Sequence, residues 1–115
     1  MPDPFDRVRK IALGLPGVEE VLTFGTPALK VRGKMIAQMW TRQDNILVLS
    51  MEIVEREMWL QAEPDIFFIT DHFRDWPVVL VRMEQIDDDL LSDLIRQAWR
   101  RRAPKKLIKA YDDQK

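Results

Sequence analysis

The chain has 115 residues, 46% of them hydrophobic and 32% charged, which suits one globular domain spanning residues 1–115. It contains no cysteine, which excludes disulfides, thiolate metal sites and cysteine nucleophiles. Its formal net charge of −1 excludes a protein coated uniformly with basic residues. No apolar run reaches the roughly 20 residues of a membrane span, and the charged N-terminus lacks the apolar core of a signal peptide. We therefore expect a cytoplasmic protein with no membrane partner.

The first half of the chain predicts one helix followed by strands. Asp3 can cap the helix with Pro4 in its first turn, and Pro16 ends it, because the residue before a proline avoids the α region. Turn residues, including the pair Arg32-Gly33, then separate apolar runs that predict strands. The predicted strands are Glu20–Phe24, Ala28–Val31, Lys34–Trp40 and Asn45–Met51.

The second half predicts two helices and two strands. Val54 and Met58 are spaced as on one face of a helix over Glu52–Ala62. Two short β-rich runs, Ile66–Thr70 and Val78–Arg82, flank a polar loop. A broad apolar stripe then marks the last helix, which a proline ends. The stripe consists of Leu90, Leu91, Leu94, Ile95, Ala98 and Trp99.

The predicted order of elements is α-β-β-β-β-α-β-β-α. Short connections favour a largely antiparallel sheet, so the predicted fold class is α/β (α+β), with two layers and helices flanking the sheet. After the last helix, Leu107, Ile108 and Tyr111 predict a final turn that docks on the core.

The third predicted strand is apolar on both faces, because side chains alternate along a strand. The two predicted sets are Met35, Ala37 and Met39 on one face, and Ile36, Gln38 and Trp40 on the other. Helices on one side alone would leave apolar area exposed. We therefore expect a sheet that curls over itself or a homodimer through a sheet face.

The charge is concentrated at the C-terminus. Residues 1–95 carry 10 Lys and Arg against 17 Asp and Glu, whereas residues 96–115 carry 8 against 2. Basic side chains that reach one backbone together can bind phosphates. Basic residues at a helix C-terminus also complement its dipole, and a charged hairpin tip is ordinary solvated surface, so this alternative stays open. The candidate nucleic-acid-binding residues are Lys30, Arg32, Lys34, Arg96, Arg100, Arg101, Lys105, Lys106 and Lys109. Arg102 falls within the arc of the stripe and is expected either to snorkel or to cap the helix end.

His72 is the single histidine, and Asp71 and Asp75 lie close to it in sequence. A carboxylate could orient it as a general base. The alternative is a surface histidine that caps a loop, which we favour because a metal site would need further imidazoles or thiolates. No catalytic, cofactor-binding or metal-binding residue is predicted.

Several strings together resemble the MmcQ/YjbR family of small bacterial proteins. The resemblance runs from about Phe5 to Tyr111, in the family's order. The strings are LPGVEE, FGTPALKVRGKMIAQ, FFITDHF, WPVVLVRM and AWRRRAPKKLIKAY. The resemblance implies a two-layer α/β fold, and members are commonly described as DNA-binding with a double wing of hairpins. It implies no catalytic residues.

The sequence thus leads to three functional hypotheses. The first is a non-catalytic module that binds DNA weakly and with little sequence preference, through the basic helix end and the basic hairpin. The second is a protein–protein interaction module that uses an apolar sheet face. The third is an enzyme centred on His72. No cofactor is expected in the first two.

Overall fold

One antiparallel sheet of six strands forms a layer of the fold, in a computed structural model that describes residues 3–114. The strands are β1 (Val18–Thr23), β2 (Thr26–Val31), β3 (Lys34–Met39), β4 (Ile46–Ser50), β5 (Phe67–Phe68) and β6 (Val78–Arg82). The helices are α1 (Phe5–Ala12), α2 (Ile53–Ala62), α3 (Asp88–Arg102) and α4 (Lys105–Asp113). The strand order across the sheet is β1-β2-β3-β4-β6-β5.

The predicted fold class is confirmed, and the structure adds two elements to the predicted order. A short 3-10 helix, Asp71–Phe73, lies in the loop between β5 and β6. The predicted C-terminal docking turn is a full helix, α4, which starts directly after Pro104. Its apolar residues recur at spacings of one, three and four, which is the pattern of a helix that packs on one side.

The helices cover one face of the sheet. Phe5 and Val8 of α1 and Leu91 and Ile95 of α3 are buried against Leu49 and its neighbours on that face. The indole nitrogen of buried Trp99 donates to the Pro16 carbonyl at 2.9 Å, which ties α3 to the loop after α1. The partly buried residues Trp59 and Leu60 of α2 and Leu107, Ile108 and Tyr111 of α4 pack on the same core.

The opposite face of the sheet holds a second, smaller apolar cluster. Its buried members are Ile46, Val48, Val78 and Leu80, which alternate along β4 and β6 with residues of the first core. Three aromatic side chains from outside these strands pack on it: Trp40, Phe68 and Phe73. The Trp40 ring meets the Phe68 ring at 6.3 Å and the Phe73 ring at 6.2 Å between centroids. We call these three residues the aromatic cover.

The expectation of cover on both faces is therefore met in part within the chain, and dimerisation through a sheet face stays a prediction. The predicted faces of β3 were wrong for two residues. Leu29 pairs with Ala37 but Lys30 pairs with Met35, so Ile36 is the extra residue of a β-bulge. The bulge places Ile36 in the main core and Met35 on the opposite face.

Arg56 of α2 holds the loop that supplies part of the aromatic cover. This side chain is buried, with 2% of the residue exposed. One guanidinium nitrogen donates to the carbonyls of Phe73, Trp76 and Val78 at 3.3, 2.8 and 3.0 Å, and the other donates to the Arg74 carbonyl at 2.8 Å. A single charged fork thus satisfies carbonyl groups along the whole connection into β6.

We expect Arg56→Met to lower the free energy of unfolding by about 2–4 kcal/mol, because it removes four hydrogen bonds from a buried charged donor that tie α2 to this loop. Urea unfolding measures the loss, and hydrogen exchange should show faster exchange in residues 71–77. Arg42→Met is the matched control, since Arg42 is exposed and has no ion pair within residues 3–114. Equal stability of the two variants would contradict the assigned role of Arg56.

Candidate nucleic-acid interface

The hairpin between β2 and β3 presents basic residues at its tip. Arg32 and Gly33 form the turn with φ values of 51° and 80°, and Arg32 and Lys34 are exposed. Lys30 is half-buried on β2 and lies opposite Glu19 of β1. The tip therefore offers two solvated charges, and the third is partly balanced by a neighbouring carboxylate.

Two of the candidate arginines on α3, Arg96 and Arg100, are ion-paired. Arg96 donates to Asp93 at 2.8 Å, one turn earlier on the same helix. Arg100 donates to both carboxylate oxygens of Asp112 on α4, at 2.5 and 3.3 Å. The hydrogen bond to Asp112 raises the pKa of Arg100. Arg100 thus joins α3 to α4 at the surface, whereas the ion pair of Arg96 stays within α3. A role for either residue in nucleic-acid binding stays a prediction.

Arg101 and Arg102 turn towards the junction of α3 with the start of α2. They donate to the hydroxyl oxygen of Ser50 at 3.4 and 3.2 Å. Desolvation by burial lowers the pKa of Arg101, and the charges of Glu55 and Glu52 oppose that shift. Arg101 is thus partly buried and faces the acidic residues of α2, so it is poorly placed for a phosphate. Arg102 binds the hydroxyl of Ser50 at the end of β4, and its expected role as a helix cap stays a prediction.

The lysines of α4 differ from these arginines. Lys105, Lys106 and Lys109 are exposed, and none of them forms an ion pair within residues 3–114. They lie in the N-terminal half of α4, whereas Asp112 and Asp113 lie at its C-terminal end. A helix dipole favours the opposite arrangement. The dipole therefore accounts for the arginines at the end of α3 but not for the lysines of α4.

The structure brings α4 next to the basic hairpin. A Cβ at Gly17 would lie 2.6 Å from the Leu107 Cδ1 and 3.5 Å from the Val31 Cγ2. Leu107 follows Lys106 in sequence, and Val31 precedes Arg32. The packing of Leu107 beside Val31 thus joins the two basic segments at one end of the sheet. We call Lys30, Arg32, Lys34, Lys105, Lys106 and Lys109 the basic surface.

His72 lies in the 3-10 helix and is exposed, with its ring edge-on to Phe73 at 4.7 Å. Within residues 3–114, no three His, Asp or Glu side chains come together as metal ligands would. The same part of the chain has no helix with the length and apolarity needed to cross a membrane.

Sequence reasoning missed two kinds of residue here. Arg56 gave no signal, because a single arginine in a helical stripe looks like surface. The Arg100–Asp112 pair gave none either, since it joins α3 to a helix that the sequence showed only as a turn.

Comparison with known proteins supports the family resemblance seen in the sequence. Residues 13–101 match the family model described as YjbR. The chain is 45% identical over 49 residues to uncharacterized protein Rv2570 of Mycobacterium tuberculosis and to uncharacterized protein Mb2600 of Mycobacterium bovis. These alignments cover 43% of this chain and 38% of each relative, so the chain matches well under half of their length.

A solved structure shares the fold. It is the crystal structure of Deinococcus radiodurans protein DR2400, which carries a DUF419 domain. The TM-score is 0.70 at 24% identity, and the superposition covers 86% of this chain and 80% of DR2400. The family model spans α2, α3 and the entire sheet, and it ends before α4. With most of its length inside that model, the chain belongs to the YjbR family.

Proposed function

We propose that this chain is a non-catalytic nucleic-acid-binding module that contacts backbone phosphates through the basic surface. The observation that carries the proposal is that Lys105, Lys106 and Lys109 are solvated and unpaired within residues 3–114, and that Lys105 and Lys106 lie in the first turn of α4, where the helix dipole disfavours their charge. Residues that break a local rule without a structural gain are expected at functional sites.

The basic surface suits phosphates better than bases. Its members are five lysines, which act as flexible point charges, and one arginine, Arg32. Arg96 and Arg100, which could also read a guanine edge in bidentate fashion, are committed to Asp93 and Asp112. Binding should therefore depend on charge and depend little on base sequence. The excess of acidic residues over residues 1–95 keeps it weak, on the order of micromolar or poorer at physiological salt.

The distribution of charge along α4 also predicts the path of the phosphate backbone across the protein. The lysines lie near the start of α4, and the acidic residues Asp112 and Asp113 lie at its end. A phosphate backbone is attracted to the first and repelled by the second, so it should cross the start of α4 and continue over the β2–β3 hairpin. The β2–β3 hairpin would then lie beside the nucleic-acid strand as a wing. This segment of α4 lies outside the part of the chain that matches the family model.

A protein–protein interaction module is the second candidate, and a specific observation favours it. Val54 and Met58 lie one turn apart on α2 and are 83% and 54% exposed, and Trp76 on the adjoining loop is 63% exposed. The centre of the sheet face is buried under the aromatic cover, so α2 and this loop are the better surface for such a partner. If the basic surface fails to bind nucleic acid, this candidate takes its place.

We expect the salt dependence of binding to identify the lysines of α4. With about four phosphates contacted, log affinity should fall against log salt with a slope near −3.6. The triple variant Lys105→Gln, Lys106→Gln, Lys109→Gln should flatten that slope by about 2 to 3 and weaken binding more than tenfold at low salt. Fluorescence anisotropy with a labelled 20-base-pair duplex and a 20-nucleotide single strand measures both quantities.

The control for this triple variant removes the same charge elsewhere. Lys10, Arg42 and Arg74 are exposed and form no ion pair within residues 3–114, so their triple change to Gln alters the net charge equally. The control should keep the slope of the wild type. Equal losses in both variants would show that only net charge matters, and absence of wild-type binding at low salt would overturn the proposal.

We also expect Lys105→Glu with Lys106→Glu to stabilise the fold while it weakens binding. Acidic residues in the first turn of a helix complement its dipole, so each change should raise the free energy of unfolding by about 0.3–1 kcal/mol. Urea unfolding at low salt measures this gain. A loss of stability would show that the two lysines make structural contacts, which would remove the main argument for their role in binding.

A further inference from the structure

The turn between β1 and β2 holds a large aromatic side chain in an unfavourable position. Phe24 is 95% exposed, with φ at 52°, and Gly25 follows with φ at 77°. Two-residue hairpin turns of this kind favour Asn or Asp before Gly, because bulky side chains fit the left-handed region poorly. A strained backbone that holds a phenyl ring in solvent indicates that Phe24 contacts another molecule.

Phe24 belongs to a larger apolar tip. Leu22, two residues earlier on β1, is 75% exposed and lies directly opposite Pro27 of β2. The residues of the turn itself, Thr23 to Thr26, carry no charge. The hairpin thus ends in an apolar, neutral knob formed by Leu22, Phe24 and Pro27.

An open apolar groove begins at the same tip. It has a volume of about 650 Å³, and Pro27 lines it as well as the knob. A cavity of about 150 Å³ is enough to admit benzene, so a phenyl ring fits with room to spare. Its apolar lining is Pro4, Pro27, Met39 and Trp40, and its polar lining is Asp3, Asp44, Asn45 and Glu84.

We propose that a second copy of this chain occupies the groove, in a two-fold dimer in which each protomer inserts its Phe24 ring into the groove of its partner. Knob and groove lie at the same end of one molecule, so a two-fold axis satisfies both at once and closes the assembly. A different protein would need to supply both a groove for Phe24 and a side chain for this groove.

The area involved gives a weak but specific dimer. A buried phenyl ring removes about 150–250 Å² from water. Two rings, the groove walls that they cover and the two Leu22 side chains together approach the roughly 1,000 Å² of a specific interface. We therefore expect association in the micromolar range.

The acidic residues around the groove favour insertion of a neutral side chain. They also determine how dimerisation depends on salt. Asp3, Asp44 and Glu84 give the groove an acidic rim, and the neutral tip enters it without bringing a further acidic residue. The acidic rims of two copies repel each other across the axis, so added salt should strengthen the dimer.

This response to salt separates the dimer from nucleic-acid binding. Phosphate binding weakens as salt rises, whereas the dimer should hold or tighten. The two surfaces also lie at opposite ends of β2, roughly 20 Å apart for a strand of this length. Failure of one proposal therefore leaves the other intact.

Sedimentation equilibrium between about 5 and 500 µM tests the dimer. The wild type should dimerise, and Phe24→Asn should weaken association at least tenfold. Because Asn-Gly suits this turn, the same variant should raise the melting temperature of the monomer by about 4 °C, so loss of the dimer cannot be ascribed to unfolding. Leu13→Asn, which removes another exposed apolar side chain at the end of α1 far from the groove, is the control and should leave association unchanged.

A mixed-disulfide experiment tests the position of the knob. Because the sequence contains no cysteine, no native thiol competes with the introduced ones. Thr26→Cys protein mixed with Asp44→Cys protein should form more of the mixed disulfide than of either homodimer. Thr26→Cys mixed with Gln61→Cys should not, since Gln61 lies on α2. A monomeric wild type, a dimer unaffected by Phe24→Asn, or a dimer abolished by Leu13→Asn would each overturn the proposal.

Discussion

Strand β4 is buried along its whole length, and the need to cover both of its faces governs how the rest of the chain is arranged. Leu47 and Leu49 lie under the four helices, while Ile46 and Val48 lie on the opposite face. The described residues place no α-helix on that second face, so the aromatic cover, which includes Phe73 of the short 3-10 helix, takes its place. Part of this cover comes from the loop that Arg56 fastens by its hydrogen bonds to carbonyl groups. The cost of burying one arginine is thus offset by a completed second core.

The layered arrangement leaves the two proposed binding surfaces at the two ends of the sheet. Both tight hairpins, at Phe24-Gly25 and at Arg32-Gly33, use positive φ at a residue with a side chain. One tip is apolar and lies beside the apolar groove with its acidic rim, and the other is basic and lies beside α4. Because β2 connects them, the sheet itself keeps the surfaces apart and in a fixed relation. A dimer through the first tip would carry two basic surfaces facing away from its axis.

The sequence predicted those parts of the fold that depend on local pattern. The stripe of α3, the hairpin at Arg32-Gly33 and the element order follow from periodicity and turn residues, which act over a few positions. The bulge at Ile36 could not be predicted, because it depends on the register of two strands. The same holds for the site: charge counting found all the basic residues, but only the fold shows that Arg100 reaches Asp112 on α4.

One continuous basic run therefore divides into two parts with different chemistry. The arginines from residue 96 to residue 102 hold carboxylates and the Ser50 hydroxyl, as their rigid fork of donors favours. The lysines from residue 105 to residue 109 hold none of these within residues 3–114, and Lys105 and Lys106 occupy the helix end where their charge is least favourable. Arginines already engaged in the fold would lose those contacts on meeting a phosphate, whereas the lysines lose only water. The energetic balance thus favours α4, the last helix of the chain, as the place where an anionic partner binds.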